Sequence, residues 1–429
     1  MLRRDFLKTT AKAGVAYSAL PLLPALQRTA SYRLALIGTG WWGMNILQSA
    51  LQHGNCKLVA ICDVDKRQMI AALTKIGTLT ADKPKTYNDY RELLHKEKPE
   101  IVIVATPDHW HPLIMIAAAE QGAHVYVEKP IGHTINEGKA MVKAARKYNR
   151  VVQVGTHRRV SPHNISGMNF LKSGKLGKIG MVRAFVHYPG GPGQMVPDTA
   201  PPEGLDWEMW CGPAPLRPYN PTMHPKGFRS YQDYANGQLG DWGIHWMDQI
   251  LWWTEEKYPR KIFSTADRFI KKDNTDAPDT QNVIFEFESF TAVWEHRQYG
   301  GNEAEKANVG CYFYGTEGTF HMGWEDGWTF YPSDKNKQVL HEGPKLHYPD
   351  GQNIPELWAD FMSAIEQKRT SVCDIAIGHR STNMSLLGML SHKLGRSIEW
   401  DGEKELILND VEANKLLQRK YRGKWEYPV

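Results

Sequence analysis

Three clusters along the chain carry glycines, carboxylates, a lysine and a histidine placed to bind or react with a small ligand. Gly38-Thr39-Gly40-Trp41-Trp42-Gly43 follows an apolar strand pattern and opens a helical one. In such a G-x-G-x-x-G turn the first glycine permits the bend and the second lets backbone approach a pyrophosphate. The third lets helix and strand pack closely, and the positive helix start faces the phosphates. Asp63 closes the next strand pattern, ~20 residues on, where a carboxylate bonds a ribose 2′-hydroxyl. The group predicts a dinucleotide site for NAD. The acid repels a 2′-phosphate and so disfavours NADP, although Arg67 nearby could accommodate one. A structural glycine turn is the plainer alternative.

Glu128-Lys129-Pro130 ends the strand pattern HVYVEKP. Ligands of open parallel sheets bind beyond the carboxyl ends of the strands, which puts Lys129 where nicotinamide should lie. Pro130 holds the preceding lysine extended, and a lysine there can orient or protonate a hydroxyl or carbonyl. The alternative is a solvated lysine paired with Glu128. The third group is Asp241-Trp-Gly-Ile-His245-Trp-Met-Asp248, with polar groups at i, i+4 and i+7. On a regular helix these share one face. A histidine oriented by Asp241 is a candidate general base. The alternatives are an internal cap with a hydrogen-bonded core pair, and an Asp/His/Asp metal site, which lacks a second cluster of ligands. No metal is expected.

The elements that position these groups fall into two regimes. From Tyr32 to about Gly155, short apolar strands (YRLALIG, KLVAICD, EIVIVAT, HVYVEKP, VVQVGT) alternate with helical patterns, which implies βαβ units and a doubly wound parallel sheet. Strand-like runs MVRAFVHY, NVIFEFE, TAVWEHRQY, NVGCYFYG and GTFHMGW then lie close together with polar turns. They predict a second α+β domain built on an open, mostly antiparallel sheet. Helical patterns return at 354–367 and 375–394, and the pattern leaves open whether they brace the second domain or pack back on the first. The expected division is 1–30, 31–155 and 156–429. A Pro/Gly/Trp-rich stretch, 189–236, is too long for a mere connector. Tyr188 at its edge and Trp207, Trp210, His224 and Arg229 within it are weaker candidates for sugar contacts, each with packing as the plainer reading. Whether His157 or Arg158, just past VVQVGT, touches substrate is left open.

Composition narrows the function classes. Of the formal charge of +5, most sits in the first thirty residues, which hold five bases and one acid. The remainder is near neutral and lacks the basic footprint of a nucleic-acid binder. Five scattered Cys without a CxxC pair form neither a disulfide framework nor a zinc site, which leaves room for one incidental disulfide. The start L-R-R-D-F-L-K, followed by an Ala/Leu-rich run to about Leu26, reads as an export signal. Its arginine pair resembles the twin-arginine motif, with Leu2 where Ser or Thr is usual. The expected location is the periplasm, with no membrane span in the mature protein.

The glycine fingerprint, Asp63, TPDHWHP (Thr106 to Pro112), EKP, QVGT and the D-x-x-x-H-x-x-D helix occur in one order. Together they resemble the Gfo/Idh/MocA family of oxidoreductases, from about Tyr32 to the C-terminus. The resemblance implies a catalytic set of Lys129, Asp241 and His245, with Asp248 lining the substrate site. It extends the cofactor site to Trp41, Trp42, Thr106, Pro107, His109, His111, Glu128 and Lys129, and implies a homodimer or homotetramer. The reading is an exported oxidoreductase that moves a hydride between tightly bound NAD and a hydroxyl of a sugar, polyol or glycoside. His245, steadied by Asp241, would take the hydroxyl proton, and Lys129 would stabilise the alkoxide. The alternatives are a redox-neutral NAD-dependent glycosidase and a non-catalytic sugar-binding protein with a retained cofactor site.

Overall fold

The computed structural model describes residues 31–347 and 351–429. The export-signal reading concerns residues 1–30, which lie outside the described residues.

A parallel sheet is built from β1 (Tyr32–Ile37), β2 (Cys56–Cys62), β3 (Lys85–Tyr87), β4 (Ile101–Val104), β5 (His124–Val127) and β6 (Val152–Val154). Its order is β3-β2-β1-β4-β5-β6. The order reverses between β1 and β4, which is where such sheets open a ligand crevice. Central β4, Ile-Val-Ile-Val, is buried at every position, as expected of a strand covered by helices on both faces. One apolar cluster fills each side of the sheet.

The second sheet holds β7 (Ile179–His187), β8 (Lys261–Asp267), β9 (Thr280–Glu286), β10 (Thr291–Arg297) and β11 (Val309–Gly315). It continues with β12 (Gly318–Gly323), β13 (Trp328–Pro332), β14 (Leu340–Glu342), β15 (Ile398–Asp401) and β16 (Leu406–Ile407). The order is β14-β13-β12-β11-β7-β10-β9-β8-β15-β16. It is antiparallel except where β7 runs parallel to β10. β9 alternates buried and exposed residues, so one face packs on the core and the other faces outward. Against the inner face lie the helices Ile244–Trp253 and Ile375–Leu394, whose Trp246, Met247, Met384 and Leu387 join the sheet's cluster. Helix Ile354–Gln367 instead buries Leu357, Trp358 and Phe361 with the residues of β1, β4 and helix Trp41–His53. The chain thus returns to complete the first layer.

All five cysteines are free. Among the described residues, no helix is long and apolar enough to cross a membrane. None of them form a group of three or more His, Cys, Asp or Glu able to hold a metal ion.

Candidate active site at the sheet crossover

The turn after β1 has the conformation its glycines require. Gly38 sits at φ +92°, and a Cβ there would lie 2.5 Å from the Ala105 carbonyl oxygen. A Cβ on Gly43 would meet the Gly38 carbonyl oxygen at 2.2 Å. Gly40 differs, because a Cβ there would meet nothing within 4 Å. Its neighbour is open space, the room a closely approaching pyrophosphate needs. Helix Trp41–His53 starts without a side-chain cap, so its first N–H groups are left to a ligand.

This turn opens onto a cleft that also takes in Asp63, Thr106, Pro107, His111, Glu128 and Lys129. Asp63 accepts from the Thr39 amide at 2.7 Å, the Thr39 hydroxyl at 2.8 Å and the Asp65 amide at 3.0 Å. A carboxylate has about four acceptor positions, so one remains for a ribose hydroxyl. Arg67 is held by Asp65 at 2.7 Å, and Asp65 also bonds His224 Nε2 at 3.0 Å. The arginine that could have received a 2′-phosphate is thereby committed elsewhere. Thr106 Oγ1 is buried and has no partner. The Trp42 indole bonds Glu128, whose carboxyl is pushed up by burial. Open space at Gly40, the free acceptor on Asp63 and the orphaned hydroxyl of Thr106 together fit a nicotinamide dinucleotide.

Lys129, at the end of β5, crosses to the second sheet's layer. Its Nζ donates to Asp241 Oδ1 at 2.7 Å and to the Asp241 carbonyl at 2.8 Å. Arg229 Nε lies 2.9 Å from the same Oδ1. Burial alone would raise the Asp241 carboxyl, but the two cations outweigh it and hold it at about 2. Asp108 also lines the cleft. There burial dominates and lifts the carboxyl to about 7, with Asp241 adding to the rise while Arg229 and Lys129 oppose it.

Residues Leu239–Gly243 form a wide π-helical turn before helix Ile244–Trp253 begins. Such turns recur at functional sites, and this one corrects the expected i, i+4, i+7 face. Asp241 turns to Lys129 and Arg229, whereas His245 faces His157 and Trp324, with ring centroids 5.5 Å and 5.0 Å away. His245 Nδ1 is buried without a partner, so Asp241 does not steady it. Burial first, then Lys129, Arg158 and Arg229, pushes its pKa well below the ordinary histidine value, and the ring is neutral. Asp248 departs further from expectation. It is 1% exposed and bound by Arg159 Nε at 2.8 Å and the Ser381 hydroxyl at 2.7 Å, a core ion pair outside the cleft.

The TPDHWHP segment divides likewise. His111 lines the cleft, with Nδ1 2.7 Å from the Pro130 carbonyl and Nε2 2.8 Å from the Thr106 carbonyl. Burial pulls its pKa down to about 4, so the neutral ring donates to one of the two. His109 does not line it. Its Nε2 bonds the Trp210 carbonyl at 2.9 Å and its ring packs among Trp210 and Tyr234, so the expected cofactor contact is replaced by packing.

The 189–236 stretch forms the cleft's second wall. Met209, Trp210, His224, Pro225, Lys226, Phe228 and Arg229 face the glycine turn across it. Main-chain bonds from Asp206 to Val64 and from Lys66 to Gly204, both 2.9 Å, fasten this stretch to the end of β2. Trp207 is one layer back, stacked on Trp210 at 4.5 Å. Tyr188 packs edge-on to Trp242 at 6.3 Å, and its hydroxyl is pushed up by burial and then by Asp241. Sequence reasoning missed Gln68, Asn88, Asp108, Met209 and Lys226 as lining residues. Asp108 alone had a signal, its place inside TPDHWHP.

A doubly wound nucleotide-binding domain joined to an open-sheet domain, with a half-buried lysine at their junction, defines a dinucleotide-dependent oxidoreductase fold. Residues 32–156 match the NAD-binding Rossmann fold of an oxidoreductase family, and residues 184–427 match that family's C-terminal alpha/beta domain. The chain belongs to the Gfo/Idh/MocA oxidoreductase family. Among curated relatives, a glycosyl hydrolase family 109 protein of Stenotrophomonas maltophilia is 34% identical over 143 residues, 32% of this chain and 31% of the relative. An inositol 2-dehydrogenase of Salmonella typhimurium is 30% identical over 152 residues, 35% of this chain and 44% of the relative. The chain thus spans less than half the length of these relatives. A levoglucosan dehydrogenase solved with NADH and levoglucosan shares the fold with a TM-score of 0.67 at 19% identity, covering 86% of this chain and 99% of the other. The WlbA dehydrogenase from Bordetella pertussis, solved with NADH and UDP-GlcNAcA, gives 0.64 at 18% identity with the same coverage.

Proposed function

We propose that the chain is an NAD-dependent oxidoreductase that moves a hydride between bound nicotinamide and a carbinol carbon of a sugar or polyol. The observation that carries this reading is Lys129, fixed by Asp241 in the wall of the dinucleotide cleft, with Arg229 pairing the same carboxylate. NAD, when bound, supplies the hydride acceptor. Lys129 has three N–H donors, of which two are spent on Asp241. The third is left to bond a substrate oxygen and stabilise it as an alkoxide develops. His245 sits behind the residues that line the cleft with its Nδ1 buried, so Nε2 of the neutral ring is the nitrogen assigned to take the hydroxyl proton. Asp241 fixes the lysine rather than the histidine.

The second wall from 189–236 supports a cofactor that stays bound between turnovers. The arginine pair Arg3-Arg4 ahead of an apolar run supports export of the folded, loaded protein by the twin-arginine route. The outward row Phe263, Ile284, Val293 and Arg183 across β8, β9, β10 and β7, with Phe263 and Ile284 each 44% exposed, supports a homo-oligomer paired through this sheet.

The test is to mix the purified protein with NAD and single sugars or polyols and follow the reduced-nicotinamide absorbance band. Reduction by wild type that falls by about 10²–10⁴-fold in Lys129→Met is expected. A glycoside cleaved with no lasting reduction of the cofactor would instead favour the redox-neutral glycosidase.

A further inference from the structure

Beyond Lys129 and His245 lies a cation without a counter-ion. Arg158, just past β6, is 1% exposed. Its Nη1 donates to the Trp324 carbonyl at 2.8 Å and lies 3.5 Å from His163 Nε2. The guanidinium stacks on the Trp324 ring, 3.6 Å from its centroid. Its other two nitrogen positions, Nε and Nη2, are buried with no partner. Burial pulls its pKa down to about 9, with Glu325 and Asp326 opposing that only at longer range. The group is therefore still charged at neutral pH. Among the described residues, no carboxylate forms an ion pair with it.

The neighbourhood shares this deficit. Both ring nitrogens of His157 are buried without partners, as is Nδ1 of His245, and the two rings are 5.5 Å apart. Five orphaned nitrogens thus sit on three residues, one of them the proposed proton acceptor. An uncompensated buried charge is costly enough that folded proteins pair it or leave it for a ligand. The free edge of Arg158 is informative, because Nε and Nη2 form the side-on fork that matches the two oxygens of a carboxylate.

We propose that the substrate is a sugar acid, a uronate or aldonate, whose carboxylate is received side-on by Nε and Nη2 of Arg158 with His157 beside it. This rests on the oxidoreductase reading for the sugar part, while the carboxylate is assigned from Arg158 alone. Trp324, in the turn between β12 and β13, covers one face of the guanidinium.

The test is calorimetric titration of the NADH-loaded protein with glucuronate, galacturonate and gluconate, each against its neutral sugar and against glucose 6-phosphate. At least one acid should bind about 100-fold tighter than its neutral counterpart, the scale expected of a desolvated charge pair. Arg158→Gln should abolish that preference, and Arg158→Lys, which keeps the charge but not the fork, should restore only part of it. No acid binding better than its neutral sugar, a stronger preference for the phosphate, or a preference that survives Arg158→Gln would each overturn the proposal. The wild-type comparison decides even where a variant does not fold. Because the readout is binding, failure of hydride transfer would overturn the oxidoreductase reading and leave this result distinct.

Discussion

Replacing Asp241 with Asn removes the anion between Lys129 and Arg229 while preserving shape. The carboxyl is held at about 2 against an ordinary 3.8, with burial opposing and the two cations prevailing. A carboxylate whose folded value is depressed contributes stability that is fully present above its unfolded value and lost as pH falls through the folded one. The window therefore runs from about pH 4 down to about pH 2. A drop of just under two pH units corresponds to about 2–3 kcal/mol. An ~400-residue unit has an unfolding entropy of roughly 0.8 kcal/mol/K, so Asp241→Asn should lower Tm by about 3 °C at pH 7. The assay is thermal unfolding of both proteins from pH 7 to pH 2, with hydride transfer measured at pH 7. The difference in stability should close as the pH reaches about 2, and hydride transfer should fall with the loosened lysine. A difference that is absent at pH 7, or that stays constant down to pH 2, would refute the ionised Asp241 bridge.

Four further substitutions test the same geometry. Gly40→Ala, whose methyl meets open space, should leave Tm within about 1 °C but weaken NAD binding about tenfold, on the order of 1.4 kcal/mol. Gly43→Ala places a methyl against the Gly38 carbonyl and should cost about 3 kcal/mol; equal Tm values for the two variants would contradict the turn. Asp63→Ala removes a like charge that, ~6 Å from a 2′-phosphate at an effective dielectric of about 20, repels by ~3 kcal/mol. Its NADP affinity, read by fluorescence titration, should therefore rise relative to that for NAD. Asp248→Asn breaks the buried pair with Arg159 and should cost about 3–5 kcal/mol of stability. A changed substrate KM at unchanged Tm would return Asp248 to the site.

The nucleotide half was legible because its determinants are local. Gly38 and Gly43 are dictated by contacts within one turn, and an all-buried strand such as β4 advertises itself by an unbroken apolar run. Helices Ile354–Gln367 and Ile375–Leu394 match the expected spans for the same reason. β3, β8 and β13 to β16 were missed: β3, β14 and β16 are only two or three residues long, and β8 puts Ser264, not an apolar residue, in a buried position. The Asp241/His245 pairing failed because spacing arguments assume 3.6 residues per turn, and the π-helical turn breaks that assumption. Lys226, Asn88 and Gln68 reach the cleft only through the folding back of distant segments, which no local pattern encodes. His109 and His111 lie two residues apart in one motif, yet only the structure shows the first packed beneath Trp210 and the second bracing the ends of β4 and β5.

Hydride transfer from a sugar carbinol carbon to nicotinamide in this cleft leaves an isotopic trace. The direct measurement is to turn the protein over with a substrate deuterated at that carbon, recover the cofactor and determine its mass. Reduced cofactor one mass unit heavier, lost in Lys129→Met, is the predicted result. Unlabelled cofactor recovered alongside consumed substrate would contradict the account.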